Sequence, residues 1–287
     1  MNIVFSILHY QALEMTEKCV ESILKIKKEQ KISIVIVDNA SPNNTGDQLE
    51  KIYSNKKDIY VIRNTSNEGF ARGNNIGYRF AKEQLHADVI AVMNNDVIIE
   101  QDEFIKTLKG IIDSSNDTHI IAPDVLNFQG FHQNPMRKNA LDTKSITINL
   151  IYNLLMIMLL RIPFLNQRLV SYLENRRNLM ENHDSTWKLT QSKIVPHGAI
   201  IIYTRNYIAK EDFSFLPITF MFAEEDILYE YATKMNYGIK YEPSLHVLHL
   251  EDVSIREITK SELNRRKFLS KHKVKSLFML LKLRFQL

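Results

Sequence analysis

The chain has a single cysteine, Cys19, in 287 residues. One thiol excludes an intrachain disulfide and any cysteine-based zinc site, and it suits a reducing compartment. Long apolar runs are also missing. The nearest, Ile146 to Leu160 (ITINLIYNLLMIMLL), is interrupted by Asn149 and Asn153 and ended by Arg161. Its unbroken core is well short of the roughly 20 residues a spanning helix needs, so it reads either as a buried helix or as an element resting on a membrane. The opening MNIVFSILHY has no basic n-region and no small-residue cleavage site, so no export signal is expected. A net charge of +4 is too mild to argue for nucleic acid, and none is expected as a partner. No Walker phosphate loop, HExxH helix or nucleophile elbow occurs, and Gly69 to Gly77 lacks GxGxxG spacing. The usual ATPase, zinc-protease, hydrolase and dinucleotide chemistries are therefore excluded. From Phe268 to Leu287 there is no acid at all: Lys and Arg interleave with Leu, Phe and Met. A helix of that composition suits an anionic membrane surface.

What is present is ordinary globular material. At 45% hydrophobic and 24% charged the chain can build a sizeable core, which excludes disorder and collagen-like repeats. Its length fits one large α/β domain or two small ones. Ile3–Leu8, Ile32–Asp38, Ile59–Arg63 and Val89–Asn94 are short β-branched runs that predict buried parallel strands. Thr16–Lys28 and Asn74–Leu85 carry apolar residues at helical spacing between them. That alternation predicts βαβ units and a doubly wound sheet. Later, Lys193–Tyr203 and Ile239–His249 pattern as strands, with a helical stretch from the acids near 225 to Met235.

Ligands on such sheets sit beyond the carboxyl ends of the strands. His9-Tyr10 follows the first strand, and Asp38-Asn39-Ala40-Ser41-Pro42 closes the second. Asn67 to Asn75 (NEGFARGNN) comes after the third, and Asn94-Asn95-Asp96 ends the fourth. Each alone could be a self-solvating turn; four at one edge predict a cleft. Asp38 can accept a hydrogen bond from the N3–H of uracil or thymine, or simply cap its turn. Asp96, beside neutral amide oxygens, suits Mg²⁺ or Mn²⁺ already carried by a diphosphate, or caps a turn likewise. Glu224-Glu225-Asp226 follows Phe220 and Phe222; three adjacent acids shift one another's pKa, which helps a general base, and they also suit a helix N-terminus.

In the order HY, VDNAS, NEGFARGNNIG, NND, PHGA, FMFAEED and a late histidine, His249, residues 1 to 255 resemble the family-2 inverting glycosyltransferases of GT-A fold. The bacterial rhamnosyltransferase-like group of O-antigen and capsule assembly is the nearest in flavour. The resemblance implies a GT-A-like doubly wound, mostly parallel α/β sheet with a helical C-terminal extension. Residues 1–100 would form the nucleotide-binding half, 101–255 the acceptor-binding half and 256–287 a basic amphipathic tail. It implies a UDP- or dTDP-sugar donor and a glycan or lipid-linked glycan acceptor in cell-surface polysaccharide (capsule, lipopolysaccharide) synthesis. The expected location is cytoplasmic, with peripheral contact at the inner face of the membrane.

The same resemblance assigns roles. Asp38 binds the base. His9, Tyr10, Asn39, Asn67, Gly69, Phe70, Arg72, Gly73, Asn74, Asn94 and Asn95 line the nucleotide sugar. His197 and Gly198 lie on the acceptor side. Asp96 is the last acid of an Asp-x-Asp metal motif whose first acid is here Asn94, which weakens the Mg²⁺ or Mn²⁺ site, and His249 completes the metal and diphosphate contacts. Glu225 aligns with the base, although the family usually carries Asp there, so Glu224 and Asp226 are the competing acids. A nucleotidyltransferase would want a Gly-rich, basic phosphate loop after the first strand, where this chain has HYQALE. A catalytically inactive nucleotide-sugar-binding protein is the other alternative, on the strength of Asn94.

Overall fold

A computed structural model describes residues 1–27, 30–115, 117–162, 185–250 and 261–286. The expected boundary at 255–256, the helix end at Lys28 and the final residue, Leu287, lie outside the described residues.

The four β-branched runs form β1 (Ile3–His9), β2 (Ile32–Asp38), β3 (Ile59–Arg63) and β4 (Val89–Asn94). They pair in parallel in the order β3-β2-β1-β4. Side chains alternate across a strand, so Ile3, Phe5 and Ile7 enter one core while Val4 joins Val35 and Val37 in the other. Helix α1 (Leu13–Lys27) buries Cys19, Val20 and Ile23 in the first core. Helix α3 (Gly69–Glu83) buries Ala71, Tyr78 and Ala81 in the second. Helix α2 (Thr45–Tyr53) links β2 to β3 and contributes Leu49 and Tyr53. Both faces are thus covered, which is why these strands are continuously apolar.

Beyond β4 the sheet is mixed, with parallel pairing recurring between β6 and β9. After β5 (Val97–Ile98), α4 (Phe104–Asp113), β6 (Thr118–Asn127) and β7 (Gln191–Ser192) comes β8 (Ile200–Tyr203), antiparallel to both β4 and β6. The long β9 (Gly238–His249) runs parallel to β6 and antiparallel to β5 and β7. The full order is β3-β2-β1-β4-β8-β6-β9-β5. Only the last four residues of the strand-like run Lys193–Tyr203 pair as β8. Pro196 has no amide hydrogen to donate to a ladder, and the stretch before β8 instead borders the cleft.

The remaining helices are α5 (Thr143–Leu159), the short α6 (Arg205–Ile208), α7 (Glu224–Lys234) and α8 (Glu262–Gln286). Asp142 caps α5, its carboxylate accepting from the Ser145 amide at 2.7 Å. Helices α5, α7 and α8 share a small apolar core of Ile146, Ile227, Leu277 and Leu280. The buried-helix expectation for 146–160 fails: only Ile146, Asn153, Met156 and Leu160 are buried there. No described helix is long and apolar enough to cross a membrane.

Candidate active site

A cleft of about 690 Å³ opens beyond the carboxyl ends of β1, β2 and β4. Tyr10, Asn39, Asn67, Gly69 and Phe70 line one side, and Asn94, Asn95 and Asp96 follow β4 onto its floor. His197, His249 and the three acids Glu224, Glu225 and Asp226 complete it. Most of the residues expected at the site are therefore brought together.

Asn39 organises the nucleotide side. Its Nδ2 donates to Asn67 Oδ1 (3.1 Å) and the Gly69 carbonyl (3.2 Å). Its Oδ1 accepts from Asn64 Nδ2 and the Glu68 amide, both at 3.0 Å. This lattice fixes the end of β2 against the start of α3. Gly69 has φ +76°, and a Cβ there would fall 2.2 Å from the Phe220 carbonyl oxygen, the atom that accepts the Phe70 amide at 2.6 Å. Only glycine meets both demands.

Six expected residues stay off the cleft wall. His9 is fully buried, with Nδ1 at 2.7 Å from Thr16 Oγ1 and Nε2 at 2.9 Å from Thr45 Oγ1. Burial pushes its pKa down to about 4, against a smaller upward pull from Asp38; it is a neutral bridge between α1 and α2. Asp38 is 1% exposed; its Oδ1 accepts from the Ser41 amide at 3.1 Å and its carboxylate packs on Gly46. Arg72, Gly73 and Asn74 were expected on a loop, but they form the first turns of α3 and fan around its axis. Arg72 points away and donates to the Pro217 carbonyl at 3.3 Å. Gly73 packs on Leu8 and Asn39. Asn74 turns inward, Nδ2 donating to the Phe70 carbonyl at 3.1 Å. Gly198 acts through absence: a Cβ there would lie 2.5 Å from Glu225 Oε1, so its bareness makes room for that carboxylate.

The three acids open α7, and the turn before them is unusual. Phe222 (φ 76°) and Ala223 (φ 66°) both lie in the left-handed region, which side chains other than glycine's disfavour. Strain of this kind persists where surrounding structure over-determines it, and it gathers at functional sites. It aims the acids in three directions. Glu224 is 3% exposed and accepts from Thr219 Oγ1 at 2.9 Å. Burial, with Glu225 adding to it, pushes its pKa up to about 8. Asp226 is 4% exposed and is tied to Arg137 Nη2 at 2.5 Å and the Leu141 amide at 3.2 Å. Glu225 alone stays partly exposed. Burial against the cleft raises its pKa; Asp226 adds to the rise, while Arg137 and the Gly198 amide oppose it.

Asp96 and His249 meet because Val97 pairs with His249 in the β5–β9 ladder. His249 Nε2 lies 3.3 Å from Asp96 Oδ1, a buried oxygen with no hydrogen-bond donor. The other ring nitrogen, Nδ1, is 2.8 Å from Gln133 Oε1, which fixes the ring. Beside it, the His197 ring lies at 5.5 Å edge-on, its pKa lowered to about 3 by burial and by His249. No group of three or more His, Cys, Asp or Glu suited to a metal occurs among the described residues. Two donors alone could hold a divalent ion only with further ligands from a bound molecule, such as diphosphate oxygens. The lone thiol is inert here: Cys19 is buried under Asn94, which raises its pKa.

Reading the sequence missed the far end of the cleft, where Arg137, Asn149, Tyr152, Asn153, Lys273 and Leu277 lie. One signal was available. Asn149 and Asn153 stand four apart in an apolar helix, hence on one face, and that face lines the cleft.

Residues 6–171 match the family described as Glycosyl transferase family 2. A hexosyltransferase of low-salt glycan biosynthesis, Agl10 of Haloferax volcanii, is 33% identical over 100 residues, 35% of this chain and 30% of that protein. The alignment thus spans about a third of the relative's length. Among solved structures, TarS 1-349 of S. aureus covers 96% of this chain and 71% of its own at TM-score 0.55 and 13% identity. The same protein in complex with UDP also gives 0.55, at 15% identity over 100% of this chain and 72% of that one. The mannosyltransferase PcManGT of Pyrobaculum calidifontis, in complex with GDP-Man and Mn²⁺, gives 0.54 at 12% identity, over 98% and 74% of the two chains. At these identities the likeness is one of fold, the mixed α/β sheet of the GT-A type.

Proposed function

The chain belongs to glycosyl transferase family 2, and we propose that it moves a sugar from a UDP- or dTDP-sugar to a glycan acceptor with inversion at the anomeric carbon. The role we infer is cell-surface polysaccharide synthesis of the rhamnosyltransferase kind, with residues 1–100 serving the nucleotide and 101–255 the acceptor. The observation that carries this reading is the sorting of the three acids. Glu224 and Asp226 are buried and engaged, whereas Glu225 alone keeps exposure to a cleft that also holds Asp96 and His249. Solved relatives in fold bind UDP and GDP-Man, as their names state.

Glu225 takes the proton of the acceptor hydroxyl as that oxygen attacks, and its raised pKa makes it a stronger base. Arg137 holds Asp226 in place and so fixes the first turn of α7 beneath Glu225. Asn39 and Asn67 set the shape of the nucleotide side, with Asp38 anchoring the turn that follows β2. His197, buried and neutral, packs beside His249 on the acceptor side. Asp96 and His249 would hold Mg²⁺ or Mn²⁺, which when bound offsets negative charge on the diphosphate. Inversion in one displacement needs no protein nucleophile, in keeping with an inert Cys19.

Glu225→Gln keeps the shape and removes the acceptor for the proton. With UDP- and dTDP-sugars as donors, kcat should fall by about 10²–10⁴-fold while donor Kd is unchanged. Asp226→Asn should instead lower stability by about 1–3 kcal/mol by loosening Arg137, with a smaller effect on kcat. If Asp226→Asn abolishes turnover and Glu225→Gln does not, Asp226 is the base.

A further inference from the structure

We propose that the outer faces of α5 and α8 form one docking surface for an anionic lipid bilayer, which holds the far end of the cleft at the membrane. Helix α5 is apolar on nearly all sides. Its inner side packs through Ile146 into the core shared with Leu277 and Leu280 of α8. Its outer side carries Ile148, Ile151, Leu155, Met158 and Leu159, with Ile162 just beyond its end, each 36–65% exposed. Spacings of three and four place them in one stripe on the order of 20 Å long. Single exposed apolar residues are ordinary, but a contiguous stripe marks an interaction surface.

Charge identifies the occupant. Lys267, Lys271, Lys275 and Lys282 are exposed on α8, and Phe278 and Phe285 stand between and beyond them, 57% and 78% exposed. The spacings of four, four, three, four and three residues again define one face. Arg284 fastens the end of α8 to the start of α5, donating to Thr143 Oγ1 at 3.2 Å and to the Leu141 carbonyl at 2.7 Å. Residues 143–162 contain no acid, and the one acid of α8, Glu262, is paired with Arg265 and Arg266. Helices α5 and α8 pack together, and an apolar stripe on one with a lysine–phenylalanine stripe on the other is the composition of an interfacial helix pair on anionic lipid.

The same helices wall the cleft, through Asn149 and Tyr152 of α5 and Lys273 of α8. Lys273 Nζ stands 5.6 Å from the centroid of the Phe222 ring, and Arg137 lies in the same cleft. Arg137 is already paired with Asp226, so Lys273 is the cation this wall offers to a phosphate-bearing headgroup. The acceptor is accordingly an amphiphile whose glycan reaches Glu225 while its tail stays in the bilayer. This last step rests on the glycosyl-transfer reading; the docking itself does not.

The test is sedimentation of the full chain with phosphatidylcholine vesicles, with and without phosphatidylglycerol. The chain should pellet only with the anionic vesicles, and less at about 1 M salt, where charge attraction is screened. The variant Ile151→Glu/Leu155→Glu/Met158→Glu should lose at least about tenfold in partitioning, with circular dichroism and nucleotide Kd unchanged. Lys271→Glu/Lys275→Glu, a milder change for the fold, should lose binding as well. Transfer to a long-chain lipid diphosphate acceptor in vesicles should fall in the first variant, while transfer to a short water-soluble analogue persists. Vesicle binding without any sugar transfer would remove the acceptor assignment and leave the docking surface standing. A parent chain that stays in the supernatant, or variants that pellet like the parent, would overturn the docking. So would a concentration-dependent dimer abolished by the α5 variant, since the occupant would then be a second copy of the chain.

Discussion

At the scale of the residue, burial in the cleft tunes one of its acids. Glu224 keeps its proton up to about pH 8 in the folded chain, against 4.5 ordinarily. The unfolded chain releases that proton earlier, so stability should decline as pH rises from about 4.5 to about 8 and level off above. Glu224→Gln mimics the protonated form and should flatten that decline, as melting temperatures across the range would show. Asp96 and His249 bring two ligand atoms within 3.3 Å of each other, close enough to hold one cation. Asp96→Asn and His249→Gln should each raise the Mn²⁺ concentration needed for half-maximal activity, and EDTA should silence the parent. Activity indifferent to EDTA would leave Asp96 as an acceptor for sugar hydroxyls.

At the scale of the element, the start of α3 and the turn before α7 form one unit. Gly69 lies so close to Phe220 that a Cβ would overlap its carbonyl oxygen, and the Phe70 amide bonds that same oxygen. Gly69→Ala must therefore push the 220–223 turn away, in addition to straining its own positive φ. We expect a stability loss of about 1–3 kcal/mol by chemical denaturation, together with a fall in kcat beyond what nucleotide affinity explains. The elements themselves were largely legible. Strands β2, β3 and β4 fall on their β-branched runs, because burial on both faces leaves an unbroken apolar signature. Helix α3 was placed to begin at Asn74 and begins at Gly69, since Gly, Phe, Ala and Arg before it carry no cap signal. That shift of five residues is why Arg72, Gly73 and Asn74 leave the cleft wall.

At the scale of the whole molecule, the cleft joins parts of the chain far apart in sequence, so a ligand bridging it should stabilise the fold. UDP or dTDP at about 100 times Kd, with Mn²⁺, should add about 2.7 kcal/mol, raising Tm by roughly 5–10 °C at about 2–4 °C per kcal/mol. No shift with UDP, dTDP or GDP would remove the nucleotide reading of the cleft. The sequence alone determined the first four parallel strands, the edge at which the polar residues collect, and the acids and histidine that border the cleft. These follow from local rules: burial writes periodicity, and strand ends write turns. Tertiary structure alone decided that Glu224 and Asp226 are buried and engaged while Glu225 keeps partial exposure, because that depends on the placement of Thr219, Arg137 and Gly198 around them. It also decided that β8 inserts antiparallel, and that apolar side chains on the outer side of α5 stay exposed. Periodicity reports that a side chain is apolar; only packing decides whether anything lies against it.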